Sequence, residues 1–153
     1  ALTPVLRSVG FRVTVFDDRP DLITPERFPA AERLICGDFS HIDRYLSCSA
    51  DDYIVVMTSG HTHDFIVQEQ ILRRNFAYVG VIGSRAKTAS VNARLRAAGV
   101  QETAIASVHT PVGVAIKAVT PEEIAVSIAG EMIYERALRR EKDGPRHYGC
   151  PMH

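Results

Sequence analysis

An α/β fold with a mostly parallel sheet is predicted by three stretches of this 153-residue chain. Tyr53-Ile54-Val55-Val56-Met57 and Ala77 to Ile82 are apolar without alternation, the pattern of parallel strands buried on both faces. In the third, Tyr78 to Lys87, a β-branched run stops at Gly83 and passes into helix formers, which places Ser84 as a helix cap. Strand, tight turn and helix N-terminus, in that order, are the unit from which parallel sheets are built.

Ala1 to Val9 reads as a helix already under way, with Leu2, Val5, Leu6 and Val9 on one face and Gly10 as its terminator. The chain does not begin with Met, so a fragment or trimmed form is expected, and neither a strand nor G-x-G-x-x-G precedes Ala1. Phe11 to Phe16 alternates into a strand closed by Asp17-Asp18-Arg19-Pro20. A helix followed by a strand ending in an acid is the second half of a dinucleotide-type β-α-β unit, in which Asp17 would meet a ribose hydroxyl. Asp21 to Arg33, with Pro25 and Pro29, reads as a loop, Leu34-Ile35-Cys36 as a short strand, and Phe39 to Leu46 as a short helix capped by Asp38 or Ser40.

After the strand at Tyr53 comes the polar loop Ser59 to Asp64, then a helix over Phe65 to Asn75. The helix opened by Ser84 runs to Ala98 and stops at Gly99; Gln101 to Ser107 is one helical turn, and Val108 to Ile116 an irregular strand or strand-like connection. Thr120-Pro121-Glu122-Glu123 combines an N-cap, a proline at the first helical position and a capping box. The helix it opens is apolar nearly all round through Ile124, Ala125, Val126, Ile128 and Ala129, so a second body is expected on its outer side, first of all a homodimer partner. Residues 1–138 are read as one domain. Residues 139–153, beginning Arg139-Arg140-Glu141-Lys142-Asp143, are read as a polar tail.

Composition narrows the function classes. With 46% hydrophobic residues the chain can bury one proper core, and 18 basic against 18 acidic side chains leave no global field for nucleic acid or an anionic membrane. No apolar run reaches the length of a membrane span, and no leader pattern opens the chain. Cys36, Cys48 and Cys150 are odd in number and widely spaced, which argues against a disulfide framework or zinc knuckle and points to a reducing cytoplasm.

In an open parallel sheet, ligands bind outside the carboxyl ends of the strands. Asp17-Asp18-Arg19, Ser59-Gly60-His61 with Asp64, Gly83-Ser84-Arg85 with Lys87, and the loop at Gly113 all fall at that edge. Arg85 and Lys87 occupy the first turn of a helix, where the dipole disfavours cations by roughly 0.3–1 kcal/mol each. Either they converge with the free backbone amides and Ser84 on a phosphate-like anion, or they bend back to solvent or to nearby carboxylates. His61, His63 and Asp64 offer metal-ligand chemistry, but the spacing is no recognised zinc pattern and a third ligand is not evident; the plainer reading makes Asp64 the N-cap of the next helix. No nucleophile elbow or Ser-His-Asp order is present.

Taken together, Val15 to Pro20, Met57-Thr58-Ser59-Gly60-His61 with Asp64, Gly80 to Lys87, Thr110-Pro111-Val112-Gly113 and Thr120 to Ile128 resemble the C-terminal Rossmann-like domain of the xanthine dehydrogenase accessory protein family (XdhC/CoxI). The resemblance runs from Ala1 to about Leu138. It implies a cytoplasmic chaperone, a binding protein more than an enzyme. Such a protein takes the molybdenum cofactor (molybdopterin) as cargo, protects it while a cysteine desulfurase or sulfurtransferase installs the sulfido ligand, and delivers it to a xanthine dehydrogenase-like molybdenum hydroxylase. Ser84, Arg85 and Lys87 would then hold the phosphate, with the acids and His61 on the pterin edges. Against the family pattern, the first strand and its Gly-rich turn are absent, which would leave a gap in the sheet between Val13-to-Asp17 and Ile54-to-Thr58; Lys117 stands where a small residue is usual. The competing reading is an NAD(P)-binding oxidoreductase or nucleotide-binding domain using Asp17, and a third is a docking scaffold.

Overall fold

In the computed structural model, which describes residues 1–144, the predicted elements form in the predicted order. They are α1 (Leu2–Ser8), β1 (Thr14–Asp17), β2 (Arg33–Cys36), a 3-10 turn (Phe39–Arg44), β3 (Tyr53–Val56), α2 (His61–Ile71), β4 (Tyr78–Val81), α3 (Arg85–Ala97), α4 (Glu102–Ala106) and α5 (Pro121–Lys142). Among the described residues no helix is long and apolar enough to cross a membrane. Residues 139–142, expected in the tail, are the last turn of α5; Cys150 and the rest of that tail beyond residue 144 lie outside the described residues.

The caps act as the sequence dictates. Ser84 accepts from the Lys87 amide, Asp38 from the Ser40 amide, and Thr120 and Glu123 close a reciprocal capping box at the start of α5. Several boundaries differ: β1 opens at Thr14 rather than Phe11, α2 ends at Ile71 rather than Asn75, and two further differences bear on the site. Asp64 is not the N-cap of α2: the helix begins at His61, behind Gly60 with φ of 98°, so Asp64 lies in its first turn and faces inward. The stretch after Val108 makes a single parallel bridge, Gly80 to His109, and continues as a loop because Gly113 (φ 101°) and Lys117 (φ 58°) turn the backbone out of extended conformation.

The strands form two parallel ladders, β1 with β2 and β3 with β4. No ladder joins β1 to β3 among the described residues, so the gap expected from the sequence is present. In a doubly wound sheet of order 3-2-1-4-5 this is the position of the first strand. Its consequence is visible in β3. Predicted to be buried on both faces, Tyr53, Ile54 and Val55 are only partly covered, and full burial is reached at Val56 and throughout β4.

Two apolar clusters hold the halves together. One, around Val56, Val67, Ile71, Val79, Val81, Val91 and Leu95, packs α2 and α3 against the sheet, with Phe16 joining it from β1. The other joins Leu6 of α1 to Tyr78, Ile128, Ala129 and Met132, with Val13, Tyr53 and Val55 alongside. Beneath the gap the Phe11 and Tyr53 rings meet edge to face at 5.3 Å, and the Arg136 guanidinium lies 4.4 Å over Phe11. The two ladders are thus connected through side chains and the α1–α5 layer, without backbone pairing between them.

This arrangement predicts uneven protection of backbone amides. The carbonyls of Val13 and Asp17 face β2 and that of Val56 faces β4, so strand alternation directs Phe16 and Val55 into the gap. Hydrogen exchange followed by NMR should find the Phe16 and Val55 amides exchanging on the order of tenfold or more faster than those of Val15 and Val56.

Candidate functional site

The carboxyl ends of β3 and β4 and the first turns of α2 and α3 meet at one buried carboxylate. Asp64 is 1% exposed; its Oδ1 accepts from the Thr58 hydroxyl, and its Oδ2 pairs with the Lys87 ammonium. A carboxylate so deep in the protein is stable only when paired and hydrogen-bonded. Lys87 reaches it by running back across Gly83, where a Cβ would sit only 3.3 Å from the lysine Cδ. Gly83 therefore serves close approach as well as the turn, and Lys87 pairs with a carboxylate, one of the alternatives left open by the sequence.

Next to this pair is a polar pit of about 10 Å³, lined in part by Asp64, Gln68, Lys87, Thr88, Asn92 and Thr110. The volume is close to the minimum for one water. Gln68 is only 3% exposed, and its side-chain amide makes no hydrogen bond among the described residues, so it brings both a donor and an acceptor to the pit. On the opposite wall the Thr88 and Thr110 hydroxyls are 2.9 Å apart and tie α3 to the loop after His109. Gln68 was not singled out from sequence. The available signal was its i,i+4 spacing from Asp64, which puts both on one helical face.

Arg85, by contrast, is exposed at the N-terminus of α3 and makes no ion pair among the described residues. Ser84 is exposed too, but its hydroxyl is already engaged in capping. Ser59 and Gly60 are exposed in the turn before α2; Gly60 has open space around the missing Cβ, and its positive φ is what the turn requires. His61 is the first residue of α2. His63 lies against Phe39 with ring centroids 5.3 Å apart, whereas Asp64 turns inward. Gly113 has a packing role. A Cβ there would collide with Ser127 Oγ, which donates at 2.6 Å to the Val114 carbonyl.

Asp17, Asp18 and Arg19 form a separate group at the end of β1. Arg19 donates to both Asp17 oxygens, Nε to Oδ1 and Nη2 to Oδ2, each at 2.9 Å, and its Nε lies 3.9 Å from Asp18. The Arg19 hydrogen bonds hold the Asp17 carboxyl below its ordinary pKa, outweighing the upward push of partial burial. Between this group and the Asp64–Lys87 pair stands Phe39, in ring contact with Phe16 on one side and His63 on the other. The Asp17–Arg19 and Asp64–Lys87 pairs are thus separate polar groups, with Phe39 in contact with a neighbour of each.

The buried pair sets an expectation for mutants. Lys87→Met leaves the Asp64 charge unpaired and should lower the urea unfolding free energy by about 3 kcal/mol. The same substitution in an Asp64→Asn background should cost roughly half that or less, a difference that a double-mutant cycle measures.

Comparison with known proteins places the chain. A family model for the XdhC Rossmann domain matches residues 1–132. The uncharacterized protein YqeB of Escherichia coli (strain K12) is 30% identical over 126 residues, which is 82% of this chain and 23% of that protein. A probable xanthine dehydrogenase component of Bacillus subtilis (strain 168) is 30% identical over 135 residues, 88% of this chain and 39% of the relative. The crystal structure of a xanthine dehydrogenase from Bacillus halodurans matches with a TM-score of 0.82 at 28% identity, covering 94% of this chain and 41% of that one. The chain spans less than half the length of each of these proteins. With 132 of its 153 residues matched, the chain belongs to the XdhC family, as its Rossmann domain.

Proposed function

We propose that this domain binds the molybdopterin form of the molybdenum cofactor as cargo. In this reading the cofactor is passed to a xanthine dehydrogenase-like molybdenum hydroxylase after a sulfurtransferase has installed its sulfido ligand. Membership of the XdhC family, and the xanthine dehydrogenase names of two similar proteins, support the class of client.

The observation that carries the ligand assignment is the polarity of the cleft. At the rim, Arg85 and the N-terminus of α3 offer positive charge without a counter-ion among the described residues, which suits a terminal phosphate. At the mouth of the pit, which itself holds no more than about one water, the Lys87 charge is already balanced by Asp64 and Gln68 holds an unused donor and acceptor, which suits contact with the tip of a neutral amide-like pterin edge. An anion in the pit would face the buried Asp64 carboxylate, so the phosphate belongs outside. When bound, the cofactor supplies the molybdenum and sulfido chemistry; Arg85, Gln68 and the Asp64–Lys87 pair supply binding and orientation.

Incubation with cofactor released from a donor enzyme, followed by molybdenum analysis and fluorescence of the oxidised pterin, tests the reading. The wild-type chain should retain the cofactor stoichiometrically, and Arg85→Ala should weaken retention by about tenfold, the equivalent of roughly 1.4 kcal/mol. Gln68→Leu should weaken it as well. Absence of retention together with binding of NAD would overturn the proposal in favour of the dinucleotide reading at Asp17.

A further inference from the structure

Glu131 is an acid on α5 beside the buried residues Ile128, Ala129 and Met132. Its side chain is 16% exposed, and two groups converge on one of its oxygens: the Tyr78 hydroxyl donates to Oε1 at 2.5 Å, and His109 Nδ1 lies 3.5 Å from it. Tyr78 and His109 are themselves in ring contact, with centroids 4.7 Å apart. Burial, reinforced by the Glu131 bond, pushes the Tyr78 hydroxyl above its ordinary range, so the phenol remains a donor and needs an acceptor there. The backbone accommodates the contact. A Cβ at Gly80 would collide with the Tyr78 hydroxyl and with Val112, and the bare position lets the ring lie along β4.

His109 also begins the strap that walls the pit. Its amide donates to the Val79 carbonyl and its carbonyl accepts from the Val81 amide, both at 2.9 Å; the Val112 amide donates to the Val81 carbonyl at 3.2 Å. Consecutive side chains of such an extended segment point to opposite faces of a sheet. Here the two faces are covered by different helices, α2 with α3 on one and α1 with α5 on the other. His109 accordingly reaches Glu131 of α5, whereas Thr110 reaches Thr88 of α3, and both threonines line the pit beside Gln68. The backbone bonds fix where the strap runs along β4, but a roll about its own axis would move His109 and Thr110 in opposite directions. Glu131 and Thr88 hold it from the two sides.

We propose that Glu131 is a positioning residue of the cofactor site: by holding His109 on the α5 face it sets the roll of the strap, and with it the place of Thr110 in the pit wall. It acts through His109 and not by touching the cargo. The effect on cargo rests on the cofactor reading, whereas the effect on the pit wall stands on the geometry alone.

Threonine-methyl NMR of the 153-residue chain tests the wall, with molybdopterin retention as a second readout. Glu131→Leu should shift the Thr88 and Thr110 methyl resonances and weaken retention by about threefold or more. His109→Phe keeps a ring against Tyr78 and leaves the Tyr78–Glu131 bond intact, and should shift both resonances in the same direction. Glu131→Gln, whose amide oxygen still accepts from Tyr78, should restore wild-type spectra and retention. A purely structural role would change the unfolding free energy and the signals of α5 but leave Thr88, on the other face of the sheet, where it was. Thr88 unmoved in folded His109→Phe, or moved as far by Glu131→Gln as by Glu131→Leu, would overturn the proposal. So would unchanged retention in variants whose Thr88 and Thr110 signals have moved. Failure of the wild type to retain cofactor would instead count against the cofactor reading, and the methyl spectra would then decide the positioning of the wall by themselves.

Discussion

A carboxylate 1% exposed dictates much of what surrounds it. Unpaired, Asp64 would suffer several kcal/mol of desolvation, so folding requires a cation and a hydrogen-bond donor at that point. The cation comes from α3 and the donor from the turn after β3, which fixes the separation of the first turns of α2 and α3 and the path of the Thr58-to-Gly60 turn. It also explains two small residues. Gly83 is bare because the Lys87 stem crosses it, and Gly60 adopts positive φ because α2 must start early enough to turn Asp64 inward.

A second feature is the spacing between the two ladders of the described residues. Among the described residues no ladder joins β1 to β3, and aromatic contacts and the α1–α5 packing link the two halves. Arg136 shows the tension. Its guanidinium bridges α5 to Val9 and covers Phe11, yet its Nε is buried without a hydrogen-bond partner among the described residues. An orphaned donor of this kind costs about 1–3 kcal/mol.

What could be read from the sequence follows from how local the cause is. Caps and starts were legible because a single side chain decides them, as with Ser84 accepting from the Lys87 amide and Thr120 with Glu123. The strands are legible because parallel burial leaves an apolar run, yet the partial exposure of Tyr53 to Val55 depends on what packs beside β3, which no local pattern encodes. At the site, Asp64 and Lys87 were both picked out, but their pairing joins residues 23 positions apart, and only the fold brings them together. Gln68 gives no local signal because a polar residue inside a helix reads as solvent-facing; only the buried acid one turn earlier makes its orientation informative. The dinucleotide-type reading of Asp17 found a carboxylate at the end of β1, but not that Arg19 would occupy both its oxygens.

That last difference separates the two polar groups by how easily a ligand can disturb them. The Arg19 side chain is 52% exposed and that of Asp17 22%, so their bond competes with water and is weak. A phosphate or hydroxyl arriving there can take over either partner at little cost. Asp17, held in its charged form by Arg19, remains ready to accept from whatever replaces it. The Asp64–Lys87 pair is different: with 1% and 19% of the side chains exposed, neither partner can leave without stranding a charge in the interior. Any rearrangement on binding would therefore fall to the exposed Asp17–Arg19 group and to Arg85, whereas the buried Asp64–Lys87 pair stays fixed.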